Sequence, residues 1–324
     1  MFCTRLRHRF IYSLLSTITL AGVWSCRKDV ETFRPYPPTL EAIQQLMQQV
    51  PSASTQTTFT LGGIVQDIEL ATPSGVRLFL TDTEHLFFDA DDNPVPCSTC
   101  QNFSVKVTEA LDKSDIIAYG VPTTTADGEL LESGGMVHVV ITCDGKQLKL
   151  RPDRKLKIQI PAQNPQNDML VFSGLMQNDT FLGWQNTGQE VFQAIWQVAG
   201  NDQTGYEILS SSLGWINSDR FVNEPTTSFC VDLPPNFNSE NTVAYIVFKN
   251  NRSVAALEID LADQKFCYDN APVGFQVRLV TVSKTADGQY WLGNQETEIG
   301  TNATVTMAPQ QVGEQQVLDF LKSL

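Results

Sequence analysis

Phe103-Ser104-Val105-Lys106-Val107-Thr108 puts a large apolar side chain at every second position, the spacing of a strand with one buried face. Met136-Val137-His138-Val139-Val140-Ile141 is apolar at both parities and broken only by a histidine, which predicts a strand covered on both faces. Leu148-Lys149-Leu150 and Leu156-Lys157-Ile158-Gln159-Ile160 flank Arg151-Pro152-Asp153-Arg154 and read as a hairpin. Turn chemistry is dense between these runs: Thr72-Pro73-Ser74-Gly75, Asp91-Asp92-Asn93-Pro94, Asp127-Gly128 and Asp144-Gly145. Strands this frequent, with no helical period between them, predict an antiparallel sandwich over residues 59–165.

The same alternation returns at Tyr206. Thr242 to Phe248 and Val254 to Ile259 flank Lys249-Asn250-Asn251-Arg252, a turn that suits Asn because Asn tolerates positive φ. Phe275, Val277, Leu279 and Thr281 follow, so a second sandwich is expected over 206–324. Residues 166–205 are rich in Asn and Gln and read as an irregular connector anchored by Trp184 and Trp196. Helical spacing is confined to about 39–50 and 313–324. The expected fold is therefore mostly β: two antiparallel β-sandwich domains with a short N-terminal helix and a short C-terminal helix.

The chain has 324 residues, with Lys+Arg 22 against Asp+Glu 36 and a net charge of −14. That length suits about two domains, each with its own core. The acidic balance argues against nucleic acid as a partner, since phosphate backbones need a basic footprint. Histidine occurs only at 8, 85 and 138, too few for a multi-histidine metal site, and neither a metal nor a cofactor is expected.

Residues 1–25 read as a signal peptide: Arg5, Arg7, His8 and Arg9 precede an apolar run from Phe10 to Trp24, shorter than the roughly 20 residues of a spanning helix. Leu20-Ala21-Gly22-Val23-Trp24-Ser25-Cys26 resembles a bacterial lipobox, which implies lipidation of Cys26 and a membrane partner through that anchor. Arg27-Lys28-Asp29-Val30-Glu31 resembles the signal by which Bacteroidetes-type bacteria send lipoproteins outward. Residues 26–58 then read as a lipidated tether, stiffened by Pro35, Pro37 and Pro38. It carries one short helix, capped by Thr39, with Leu40, Ile43, Leu46, Met47 and Val50 on one face. The expected location is the cell envelope, lipid-anchored at the outer membrane and surface-exposed rather than periplasmic.

Gly75-Val76-Arg77-Leu78, Asn93-Pro94-Val95 and Val105-Lys106-Val107-Thr108-Glu109 resemble a ZU5-type β-sandwich. Gly128-Glu129-Leu130-Leu131-Glu132-Ser133-Gly134-Gly135-Met136 and Leu213-Gly214-Trp215-Ile216-Asn217-Ser218-Asp219-Arg220-Phe221 resemble strings in uncharacterised Bacteroidetes-type envelope lipoproteins. The resemblance covers about residues 59–324 and implies a fold and a cell envelope, but no reaction. The His-Phe-Ser tripeptide at which some ZU5 proteins cleave themselves is absent, so self-cleavage is not implied.

Five cysteines follow Cys26, so one must be free or bridge chains. Cys230 and Cys267 are the pair available in the second half, while Cys100 can bond Cys97 or Cys143. Cys97-Ser98-Thr99-Cys100 lacks the second pair that zinc needs, and it precedes a strand rather than opening a helix, as a redox motif would. Asp89 to Asn93 has the alternate carboxylates of a calcium loop without its central Gly or distal Glu, and reads as a surface turn. His138 shares a strand face with Met136 and Val140 and reads as a hydrogen-bonded sheet histidine. Trp215 is expected in the core, with Asp219 and Arg220 paired to other strands. The sharpest anomaly is the run from Lys146 to Lys157, which holds six cations in an acidic chain. If it is a hairpin, Lys149, Arg151, Lys155 and Lys157 share one face and form a candidate anion-binding site. The functional expectation is a non-catalytic binding, adhesion or assembly module for a polysaccharide or an envelope protein. The alternative is a glycan-directed or other hydrolase using paired carboxylates, which are too abundant here to single out.

Overall fold

The Phe103–Ala110 strand pairs with Leu131–Cys143 along its whole length, with Val105 opposite Ile141 and Val107 opposite Val139. The computed structural model containing this pair describes residues 39–52, 55–63, 66–198 and 200–324. The described chain is mostly β, in several largely antiparallel sheets, with three short α-helices that include one near each end.

The front sheet of the first sandwich orders Gln56–Leu61, Phe103–Ala110, Leu131–Cys143, Gly214–Phe221, Leu170–Gln177 and Thr180–Glu190. The back sheet orders Phe192–Val198, Asn201–Ser210, Leu156–Pro161, Arg77–Leu80 and Ile68–Ala71. Val105, Val137, Val139 and Ile141 meet Leu78, Leu80, Ile158 and Ile208 between them, all fully buried. The opposite face of the front sheet is buried as well. There Ala110, Met136, Phe172, Trp184 and Trp215 pack against the helices and against Tyr245, Val280 and Val282 of the second sandwich. The two cores on either side explain why Met136 to Ile141 is apolar at both parities.

In the second sandwich, Glu258–Asp260, Lys265–Pro272, Thr226–Asp232 and Ala303–Thr306 form one sheet. Val254–Ala256, Thr242–Phe248, Gln276–Lys284, Tyr290–Glu298 and Gln310–Val312 form the other. Phe229, Val231 and Phe266 face Ile246, Phe248 and Leu279. Cys230 lies opposite Cys267 in register and is bonded to it. Cys100 is bonded to Cys143, which leaves Cys97 a buried free thiol.

Five sequence expectations differ from this architecture. Residues 166–205 are no irregular connector: they hold the strands Leu170–Gln177, Thr180–Glu190 and Phe192–Val198. Register shifts at Val171/Phe172 and Leu175/Met176 break the period of two. Glycine breaks it too, since a Cβ at Gly174 would stand 2.7 Å from Cβ of Trp215. The second sandwich begins near Thr226 rather than 206, because Ile208 pairs with Ile158 and Ile216 with Val137 in the first. The Thr39–Met47 helix is core rather than tether: Ile43, Leu46 and Met47 are buried, each contributing about 1.5–3 kcal/mol. Its Thr39 hydroxyl donates to the Glu240 carbonyl at 2.6 Å instead of capping its own helix. A further short helix, Lys113–Tyr119, closes on Gly120 in the left-handed region. The signal peptide, Cys26 and the proline spacer lie outside the described residues, among which no helix is long and apolar enough to cross a membrane.

Candidate functional site

The turn Lys249 to Arg252 of the second sandwich docks on the Leu131–Cys143 strand of the first. Ser133 N donates to the Arg252 carbonyl at 3.0 Å, Ser253 Oγ to the Leu131 carbonyl at 2.8 Å, and Arg252 Nη1 to the Gly134 carbonyl at 3.0 Å. Beside this junction opens a cleft of about 740 Å³. Gly134 lies at its floor, where a Cβ would come within 2.5 Å of the Tyr206 ring, so only glycine lets strand and tyrosine approach.

The two strings singled out by resemblance are paired strands, and Glu132, Ser133 and Gly134 of the first line the cleft. Gly214–Phe221 pairs antiparallel with Leu131–Cys143, and a bulge between Asn217 and Asp219 sets Asp219 opposite Ser133. Ser133 Oγ donates to Asn217 Oδ1 at 3.0 Å, and Asn217 Nδ2 donates to Asp219 Oδ2 at 2.6 Å. Asp219 is fully buried, and its Oδ1 has no hydrogen-bond partner among the described residues. Burial pushes its carboxyl well above the usual carboxylate range; Ser133 and the Arg252 guanidinium oppose that shift, and Glu132 adds to it. Arg220 donates to Glu132 Oε2 through Nε at 3.0 Å and Nη2 at 2.6 Å, while Trp215 is buried against His138 and Trp184.

The cleft continues in both directions. Ser74 and Asp112 also line a cleft of about 390 Å³ with Glu109 and Asp115. Glu132 and Asn251 also line one of about 480 Å³ with Arg220 and the half-buried Phe221 and Phe275. The three clefts thus lie side by side, each outer one sharing two lining residues with the central one. At the first end Glu109 is buried: Ser74 Oγ donates to its Oε2, while Oε1 has no partner. Burial pushes Glu109 upward against the Ser74 and Thr72 hydroxyls. Asp115 is pushed to about 6 by burial, reinforced by the charges of Asp112 and Glu109.

The predicted anion site is not assembled. Lys149–Leu150 pairs with Phe87–Phe88 in a small separate sheet, while Leu156–Pro161 enters the back sheet, so the intervening turn joins two sheets and makes no hairpin. Each cation has its own local partner. Lys149 Nζ meets Asp92 at 2.6 Å, and Arg151 meets Asp153 at 3.4 Å and covers the Phe88 ring. Lys155 Nζ lies against the Gln189 side-chain amide, whose oxygen accepts from it at 2.9 Å when the amide is turned over, and Lys157 lies 3.5 Å from Glu207 and over the Phe79 ring. The Asp89 turn is closed by Asp89 Oδ1 accepting from the Asp91 and Asn93 backbone N–H groups, both at 2.9 Å. His138 packs its ring 5.0 Å from that of Trp215 rather than in the hydrogen bond expected of it. Burial holds Cys97 up at about 12, an inert thiol. Among the described residues no group of three or more His, Cys, Asp and Glu is arranged to hold a metal ion.

No family model matches the chain, and no curated protein matches it. Among solved structures it is similar to a gamma-CGTase from alkalophilic Bacillus clarkii at 11% identity with a TM-score of 0.20. The match covers 78% of this chain and 36% of that one, and a likeness this low carries no argument about fold or activity.

Proposed function

We propose that the protein is a non-catalytic binding module that holds an extended polyhydroxylated chain, a glycan, along the groove between its sandwiches. The observation that carries this reading is the groove's lining. Gln163, Asn164, Gln166, Gln203, Asn250 and Asn251 offer amides to the central cleft, each able to donate and to accept as a sugar hydroxyl does. Phe221 and Phe275 supply apolar faces at one end. Isothermal titration of the full chain with neutral oligosaccharides such as cellotetraose is the test: saturable binding weakened by Asn251→Ala and Gln203→Ala is expected. Absence of binding to any oligosaccharide in a broad panel would overturn the reading.

In the same reading Cys26 carries lipid and holds the module on the outer membrane, exposed at the cell surface. The two disulfides support an oxidising compartment. Metabolic labelling with a palmitate analogue should mark the wild type and not Cys26→Ala. A second reading, glycan hydrolysis, is favoured by one observation: Glu109 and Asp115 line the same cleft with raised carboxyls, as a general acid requires. Release of reducing ends from a bound glycan, abolished by Glu109→Gln, would select it.

A further inference from the structure

We propose that the Glu109 end of the groove is a subsite for a protonated amine, so that the preferred ligand is an amino-sugar chain with free amino groups. This rests on the glycan reading above and specifies its chemistry. Glu109, Asp112 and Asp115 line one cleft of about 390 Å³ and lie close enough for their charges to act on one another. Among the described residues none of the three has an ion-pair partner within 4.0 Å, although Lys322 also lines the cleft.

The independent observation is Glu109 itself. It is 2% exposed and lines the cleft, and its Oε1 accepts no hydrogen bond while Oε2 is held by Ser74. A buried carboxylate oxygen left without a donor is costly, and a cationic donor is the group that best relieves it. An ammonium brings three N–H donors and no acceptor, which matches carboxylates and hydroxyls and suits neither an anion nor a neutral hydroxyl alone. Ser74 and Asp112 line this cleft and the central one, so a sugar unit in the central cleft would carry its neighbour's amino group toward Glu109.

A matched set of ligands tests the inference without altering the protein. The full chain is titrated near neutral pH with a glucosamine tetramer, its fully N-acetylated counterpart, cellotetraose and tetralysine. The free-amine tetramer should bind about tenfold tighter than the acetylated one, as expected for one charge-assisted contact in a desolvated cleft. Glu109→Gln and Asp115→Asn, checked for folding by thermal melts, should each erase that preference, bringing the free-amine tetramer to the affinity of the acetylated one. Equal affinity for the amine and acetamide tetramers would overturn the subsite and leave the glycan reading standing. Binding of none of the sugars would overturn both. Tetralysine binding as tightly, with the same loss in both variants, would mean that the cleft reads charge without sugar, and the amino-sugar assignment would fall.

Discussion

Asp115 should cost the fold stability at neutral pH, and Asp115→Asn should recover part of it. The side chain sits in the first turn of the Lys113–Tyr119 helix, 7% exposed, and burial, reinforced by the charges of Asp112 and Glu109, pushes its carboxyl from 3.8 up to about 6. Each unit is worth about 1.4 kcal/mol, so a shift of about two units is about 3 kcal/mol. The folded state holds this proton more tightly than the unfolded chain. Its contribution is therefore complete below about pH 4, is lost as pH rises to about 6, and stays lost above that. Asn carries no such dependence, but it gives up a favourable helix N-terminal charge and part of the bonds from the Asp112 and Leu111 backbone, about 1–2 kcal/mol together. Urea denaturation at closely spaced pH values should show the variant more stable than wild type by about 1–2 kcal/mol at pH 7. That gap should shrink and reverse between pH 6 and pH 4. A variant less stable at pH 7, or a gap independent of pH over that window, would show that the Asp115 charge is compensated in the folded state and that the cleft is not an uncompensated acidic site.

Three further expectations follow from the same geometry. Replacing Cys230 and Cys267 together by Ser opens a loop with a sequence separation of 37 and should cost about 4 kcal/mol on the chain-entropy estimate, read as a lower melting temperature; no change would refute the bond. Arg252→Ala removes the hydrogen bond to the Gly134 carbonyl and should destabilise by about 1–3 kcal/mol, with hydrogen exchange rising first in Leu131–Cys143 and Thr242–Phe248; a loss below 0.5 kcal/mol would mean that the turn is not what docks the sandwiches. Changing Lys149, Arg151, Lys155 and Lys157 to Gln should cost only about 0.2–1 kcal/mol per broken pair and leave binding to a sulfated polysaccharide unchanged in surface plasmon resonance; a binding loss would restore the anion site.

Much of the fold was legible because alternation is a local property. Phe103 to Thr108 needed only its own spacing to be read as a strand, and Thr242 to Phe248 likewise. Strand order was not legible, because it depends on partners far along the chain. Gly214–Phe221 looked like the opening of a second domain, yet its hydrogen bonds go to Leu131–Cys143. Leu170 to Val198 looked irregular because bulges and close-approach glycines erase the period that marks a strand. The cation run failed for a related reason. Asp92 and Glu207, which neutralise Lys149 and Lys157, lie outside any window in which the run can be seen.

The floor of the groove did leave a signal, and it lies in parity. Trp215, Asn217, Asp219 and Phe221 occupy alternate positions of one strand, so two side chains that prefer water share a face with two aromatic rings. If Trp215 is core, Asn217 and Asp219 must enter the same layer, and a buried amide and carboxyl require partners there. Ser133 follows by the same logic, preceding two glycines and a strand too apolar to expose either face. Parity therefore foretells a buried polar network at Ser133, Asn217 and Asp219 before any strand is paired. It does not foretell the groove above, whose Asn250, Asn251 and Arg252 come from a turn of the other sandwich. That half of the site exists only once Arg252 reaches Gly134. The network holds the junction and the turn lines the cleft, so a substitution at Asp219 should act on ligand binding through the docking of Arg252 rather than through any contact of its own.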